Sequence, residues 1–307
     1  MKRTKRVLGL ALAAVMCMGL LAGCGGSPSN SDTADETSGT ETSEKVLNIA
    51  TIGETTTLSP LYMIADNRPT QKLLYEGLVK YVDGEIQPVL AEDWELSEDG
   101  TQLTFYLRQG VTFHDGEPFN AEAAISNIES WHINPSFASL PGVVNYTNIE
   151  AVDEYTIRLT YDTPYFAYIN DFCWPDVCTM ISPKLITQGD FQTVNGYAGT
   201  GPYIYDEYVA GQYTTFVRNE NYWGEQPYYD KIVAKYIPDN ASRVQALQTG
   251  EIDLIYGSAE LSYEDYNQAT AIEGIEGKFA PSGSTIRNII LNFNGNLADL
   301  SVRQALA

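Results

Sequence analysis

The first 24 residues constrain the rest of the chain more than any other feature. Lys2, Arg3, Lys5 and Arg6 open it, the apolar run Val7–Leu21 follows, and Leu21-Ala22-Gly23-Cys24 closes the stretch. A basic start, a short apolar segment and small residues before a cut make the plan of a secretory signal. The run of 15 residues falls short of the roughly 20 that a membrane-spanning helix needs. The body is therefore expected outside the cell, where a disulfide is possible.

The ending of that stretch carries chemistry of its own. Leu21-Ala22-Gly23-Cys24 resembles a bacterial lipobox, in which small side chains admit a peptidase and the Cys24 thiol accepts diacylglycerol. Lipidation at Cys24, with residues 1–23 removed, is the expectation; a plain cleaved signal with a chance cysteine is the alternative. Two acyl chains anchor a protein stably, at about 0.8 kcal/mol per buried methylene. Gly25–Lys45 is rich in Ser, Thr, Gly and acid and has no large apolar side chain, so it reads as a disordered tether. Its reach is about 25 Å. Lipid, tether and globular body together place the protein at the outer face of the cytoplasmic membrane. Forty acids against 18 bases give a net charge of −22, and loss of residues 1–23 leaves 40 against 14, or −26. That charge repels phosphate backbones and argues against nucleic-acid partners.

The body alternates strand and helix signals without a repeat, which predicts a mixed α/β fold and no solenoid. Val46–Ile52 reads as a strand, and a loop with Pro60 and Pro69 leads to a helix expected over Gln71–Tyr81. Thr101–Arg108 alternates, with Leu103, Phe105 and Leu107 on one face. Asn120 is the expected N-cap of a helix to about Trp131, and Tyr155–Tyr161 alternates again. Pro202–Val209 and Tyr213–Asn219 form an expected hairpin around Ala210-Gly211-Gln212. A strand at Lys231–Ile237, a helix over Asn240–Thr249 stopped by Gly250, and a strand at Ile252–Tyr256 follow. Asp299–Ala307 reads as the opening of a helix cut in mid-pattern, so a fragment is expected.

Catalytic signatures are missing from the text: there is no GxSxG, HExxH, Walker loop or CxxC. Gly199-Thr200-Gly201-Pro202 is no phosphate loop, because Pro202 lacks the amide a phosphate would use. His114, in the turn-like Phe113-His114-Asp115-Gly116, reads as structural, with a polar or metal-contacting role as the alternative. Cys173 and Cys178 are the cysteines of the body; they read as a disulfide or as two buried thiols, with a metal pair as the remaining alternative. Tyr161–Trp174 and Tyr203–Trp223 are rich in aromatic rings that fill core or line a ligand cleft.

Several stretches, in order, resemble the solute-binding lipoproteins of bacterial ABC importers, the peptide- and nickel-binding family 5. They are Tyr75-Glu76-Gly77-Leu78-Val79, Leu90-Ala91-Glu92-Asp93-Trp94, Leu107–Gly116, and Pro118-Phe119-Asn120-Ala121-Glu122. Gly199-Thr200-Gly201-Pro202-Tyr203, Arg218–Gly224, Gly250-Glu251-Ile252-Asp253 and Val302–Ala307 continue the match, which is nearest in text to the nickel branch. The resemblance implies a two-lobed periplasmic-binding-protein-like fold (class II) with a hinge. Its first lobe would combine core residues 46–85 and 190–250 with an inserted subdomain, 86–189; residues 251–307 would begin an incomplete second lobe. It implies capture of an oligopeptide or nickel–chelator outside the cell and delivery to ABC permease subunits, as a monomer without a cofactor or catalysis. Ligand-facing positions carried over are Met63, Arg68, Phe137 and Thr179. Phe137 and Thr179 stand where the nickel branch has the arginines that grip a chelator, and Arg68 where it has an apolar side chain. Arg68 is expected to receive an acidic group of the ligand, because a guanidinium holds a carboxylate through two parallel bonds. A surface-anchored hydrolase is the rival from another class, and a structural or adhesive lipoprotein is a third.

Overall fold

The computed structural model describes residues 44–62, 68–174, 177–186, 196–256 and 261–278. The signal, Cys24, the tether up to residue 43, Met63, the side chain of Arg68 and the helix expected at Asp299–Ala307 lie outside the described residues. The tether's expected last residue, Lys45, is instead bound to the body, its N–H donating to Asp230 at 2.7 Å.

In chain order the elements begin with β1 (Val46–Thr51), α1 (Arg68–Leu74), β2 (Val79–Val82), β3 (Glu85–Pro88), β4 (Ala91–Leu96) and β5 (Gln102–Leu107). Then come α2 (Ala121–His132), α3 (Pro141–Val144), β6 (Tyr146–Asp153), β7 (Thr156–Tyr161) and α4 (Tyr168–Phe172). The last are β8 (Tyr203–Val209), β9 (Tyr213–Arg218), β10 (Lys231–Tyr236), α5 (Asn240–Gln248), β11 (Leu254–Ile255) and α6 (Tyr263–Thr270).

Two sheets organise these elements. A five-stranded sheet runs β11-β1-β10-β9-β8, with β1 parallel to both of its neighbours and the β10-β9-β8 meander antiparallel. A four-stranded antiparallel sheet, β4-β5-β7-β6, is built wholly from residues 91–161, in the stretch between β1 and β8 of the larger sheet. In β5 Leu103, Phe105 and Leu107 are buried and Tyr106 is exposed as the alternation predicts, but Thr104 on the outer face is buried as well. Helix α2 starts where Asn120 predicts, its side-chain oxygen accepting the Ala123 N–H at 3.0 Å. It lays Ala124, Ile128 and Trp131 into the core of the smaller sheet. Around the larger sheet a second core gathers Ile49, Leu74, Tyr75, Tyr203, Phe216 and Ile232. Gly211, at φ 69, turns the β8–β9 hairpin, and Gly250, at φ 73, ends α5 as expected. The strand expected over Ile252–Tyr256 is shorter and pairs with β1 through Leu254 and Ile255 only.

One expectation fails in an instructive way. The helix expected over Gln71–Tyr81 starts earlier and stops at Leu74, with Pro69 in its first turn, where a missing N–H is tolerated. The chain then leaves the helix because Gly77 pairs with Thr179 in an antiparallel bridge and β2 is drawn into a hairpin with β3. Asp83 and Gly84, at φ 52 and 91, give the two-residue turn whose twist suits a hairpin. Leu78 and Val79, apolar like a helix face, are buried instead beside and within a strand.

A cleft walled by Glu76 and Thr179

Between the end of α1, the β2–β3 hairpin and the loop after α4 lies a cleft of about 390 Å³. Its lining includes Lys72, Glu76, Lys80, Tyr81, Trp174, Thr179 and Tyr222. Tyr81 and Trp174 are exposed rings, so the opening is aromatic.

Glu76 is a heavily bonded side chain in the wall. Its Oε1 accepts the Tyr222 hydroxyl at 2.7 Å, and its Oε2 accepts the Trp223 indole N–H at 2.8 Å and the Thr200 hydroxyl at 2.9 Å. Burial pushes its carboxyl above the ordinary range, opposed by those three donors and by the nearby Lys80. Behind the indole, the Arg108 guanidinium lies 4.4 Å from the Trp223 ring, with Nε bonded to the Val89 carbonyl and Nη1 to Glu92.

Thr200 is itself fixed from the other side. A Cβ on Gly199 would stand 2.0 Å from the Leu74 carbonyl oxygen, and one on Gly201 would stand 2.6 Å from that of Leu73, so both glycines let this loop press on the end of α1. His114 clamps the same loop. The Gly199 N–H donates to its Nδ1 at 3.3 Å, and its Nε2 faces the Gly201 carbonyl at 2.9 Å. That pair of partners fixes a neutral ring protonated at Nε2. Burial pulls the His114 pKa below its usual value, against the Gly201 carbonyl and Asp115. The structural reading of His114 is the one this geometry gives.

Thr179 is held from behind. The Met180 N–H donates to the Glu76 carbonyl at 2.8 Å. The buried Asn127 on α2 grips Ile181 through its N–H and carbonyl, both at 2.9 Å. Cys173 and Cys178 are both buried and free, so the disulfide reading is not the one the structure takes; Cys178 Sγ instead faces the Asp171 carbonyl at 3.5 Å. Burial pushes the Cys173 thiol up to about 11 and that of Cys178 higher still, which keeps both protonated and unreactive at neutral pH.

Of the ligand-facing positions read from the sequence, Thr179 lines the cleft. Arg68 is the first residue of α1. Phe137 is fully buried, its ring stacked on Trp131 at 5.8 Å, and it does not reach the cleft. In the aromatic stretches, Phe172, Trp174 and Tyr222 line the cleft, whereas Tyr161 and Tyr168 stack on each other at 3.7 Å. Sequence alone does not group Glu76, Thr200, Tyr222 and Trp223, although each stands in a stretch that carries the resemblance. Their signal is a carboxylate at a helix exit, in a chain whose Tyr and Trp donors need acceptors. Among the described residues, no helix is long and apolar enough to cross a membrane.

A family model for the bacterial extracellular solute-binding proteins, family 5, matches residues 85–307. The chain belongs to this family. Among family 5 relatives, it is 38% identical over 209 residues to the nickel-binding periplasmic protein of Escherichia coli K12, a match covering 66% of the chain and 40% of the relative. It is 34% identical over 219 residues to the glutathione-binding protein GsiB of Pectobacterium atrosepticum, covering 68% of the chain and 41% of the relative. The solved structure of NikA from Brucella suis in complex with Fe(III)-EDTA matches with a TM-score of 0.69 at 34% identity, over 73% of this chain and 46% of that one. The chain thus spans about two-fifths of the length of these curated relatives. Its mixed α/β sheets are those of the two-lobed periplasmic binding proteins. Family 5 members are transport binding proteins rather than enzymes, which removes the ground for a surface hydrolase.

Proposed function

We propose that the whole protein is a lipid-anchored solute-binding protein. It captures a peptide or a nickel–chelator ligand outside the cell and hands it to the permease of an ABC importer. Family membership supports the capture role. The observation that carries the ligand site is the cleft, where Thr179, Tyr81, Trp174 and Lys80 meet on a wall braced by Glu76. Deep, aromatic-lined clefts with few polar groups are where small solutes bind. The names of the relatives, nickel-binding and glutathione-binding, bracket the ligand class. Native mass spectrometry of the full-length protein, purified from its host, tests the reading. A retained peptide or metal–chelator mass is expected; a protein that carries neither, and takes up neither from a mixture of peptides and nickel chelates, refutes it. Anchoring rests on Leu21-Ala22-Gly23-Cys24. Cys24→Ala should release the protein from the membrane fraction or leave an unprocessed precursor, and normal processing with retention on the membrane excludes lipidation there.

A further inference from the structure

Glu76 joins four segments that are far apart in sequence. Its backbone carbonyl accepts the Met180 N–H, its neighbour Gly77 pairs with Thr179, and its carboxylate takes donors from Thr200, Tyr222 and Trp223. Glu76, Thr179, Pro202 and Tyr222 all line the cleft, so each tie runs into its wall. A carboxylate accepts about four hydrogen bonds, and three of those places are used within the protein. Such a group braces a wall more than it meets a ligand.

Desolvating a charge in this way opposes folding. Its carboxyl is raised above the usual value, so the folded protein holds the proton more tightly than the unfolded chain. The sign follows: stability falls as pH rises from the unfolded value through the raised one, and at neutral pH the ionised Glu76 is a net expense. The groups facing it are Lys80 on β2 and Tyr222 and Trp223 after β9, with Arg108 and its partner Glu92 behind the indole; Lys72 and Cys178 line the same cleft. A fully packed apolar side chain would avoid that expense but could not collect three donors from two separate loops.

We infer that Glu76 is a positioning residue of the cleft, whose carboxylate holds the Thr200 and Tyr222–Trp223 loops against the segment that carries the Thr179 bridge. This rests on the cleft being the ligand site, but it is tested without ligand. In full-length protein, hydrogen exchange is followed at residues 179–181, 199–201 and 221–223, and Trp223 fluorescence is titrated with acid. Glu76→Ala should lose at least tenfold protection in all three segments together, with β5 and β7 unchanged. Glu76→Gln should restore most of it, because its amide oxygen still accepts from Trp223 and Thr200 and its NH₂ can donate to the Tyr222 oxygen. The wild-type fluorescence should titrate with a midpoint above 4.5, the ordinary glutamate value. Tyr222→Phe, which removes one donor to the charged form, should move that midpoint up, and Glu76→Gln or Trp223→Phe should abolish the transition. Loss confined to residues 75–79 in Glu76→Ala, or a titration that persists in Glu76→Gln, overturns the assignment. Should Glu76→Ala fail to fold, the Gln and Tyr222→Phe titrations still decide it. A wild-type protein that retains no ligand counts against the transport reading and leaves these outcomes standing.

Discussion

The ring of His114 offers the sharpest test of the packing beneath the cleft. His114→Ala removes two side-chain hydrogen bonds, to the Gly201 carbonyl at 2.9 Å and from the Gly199 N–H at 3.3 Å. Each contributes about 1 kcal/mol net. The Gly201 carbonyl keeps a partner in the Asn219 amide at 3.1 Å, but the Gly199 N–H, in a buried residue, is left without its acceptor. An orphaned donor of that kind costs about 1–3 kcal/mol in place of the net value of its bond, so together with the Gly201 bond the expected loss near neutral pH is about 2–4 kcal/mol. The pH dependence is the stricter part. Protonating Nδ1 would set an N–H against the Gly199 N–H, which agrees with the lowered His114 pKa. Below the unfolded value of about 6.5, the wild type therefore loses stability, by at most about 1.4 kcal/mol per pH unit, until the folded ring protonates. The variant lacks this term. Urea unfolding of both full-length proteins at pH 7.5 and 5.5 should show the difference between them shrinking at the lower pH. A difference that is constant or grows would mean that the ring is not held neutral between Gly199 and Gly201.

Other changes test neighbouring parts of the same frame. Gly199→Ala places a methyl 2.0 Å from the Leu74 carbonyl oxygen and 2.5 Å from a Tyr75 ring carbon. Neither yields cheaply, so a loss above about 3 kcal/mol is expected; an unchanged melting temperature would contradict the close approach. Phe105→Ala empties a fully buried site whose ring meets Phe172 edge-on at 5.0 Å. Urea unfolding should register a loss of about 3–5 kcal/mol, and less than 1 kcal/mol would misplace the core. Arg68→Ala, measured by calorimetry with the ligand recovered from the full-length protein, should weaken binding by about 2 kcal/mol or more if the guanidinium holds a ligand carboxylate; unchanged affinity and salt dependence would exclude that contact.

What could be read from sequence was what neighbours in sequence decide. The alternation of Leu103, Phe105 and Leu107, the Asn120 cap and the Gly211 turn are local, and β5, α2 and the β8–β9 hairpin follow from them. The end of α1 is not local. Leu78 and Val79 satisfy a helical stripe as well as a strand, and the choice falls to Thr179, which pairs with Gly77 from far along the chain. The cleft was illegible for the same reason. His114 meets its partners 85 and 87 residues away, and Glu76 meets its donors 124, 146 and 147 residues away. Periodicity carries no information at those separations. Phe137 shows the converse: a position carried over from a resemblance says nothing about exposure, and here the ring is packed on Trp131.

The stretches that mark the family supply part of the cleft wall, including Glu76, Pro202 and Tyr222, and the rest of the lining comes from outside them. Glu76, His114, Gly199, Thr200, Gly201, Tyr222 and Trp223 all stand in family-like stretches, and each spends its hydrogen bonds or its close packing on another of them. Lys80, Tyr81, Trp174 and Thr179 stand outside those stretches and line the cleft. Residues bonded to one another fix the shape of a site whatever it holds, whereas residues lining it with polar and aromatic surface decide what fits. A frame of this kind can be shared by a nickel-binding and a glutathione-binding relative, both about as similar to this chain in coverage. The resemblance therefore assigns the family through the frame, and the ligand must be sought through the lining. Exchanging Lys80, Tyr81, Trp174 and Thr179 should alter which solute is retained while leaving the protection of residues 199–201 intact; loss of that protection would show that frame and lining are one unit.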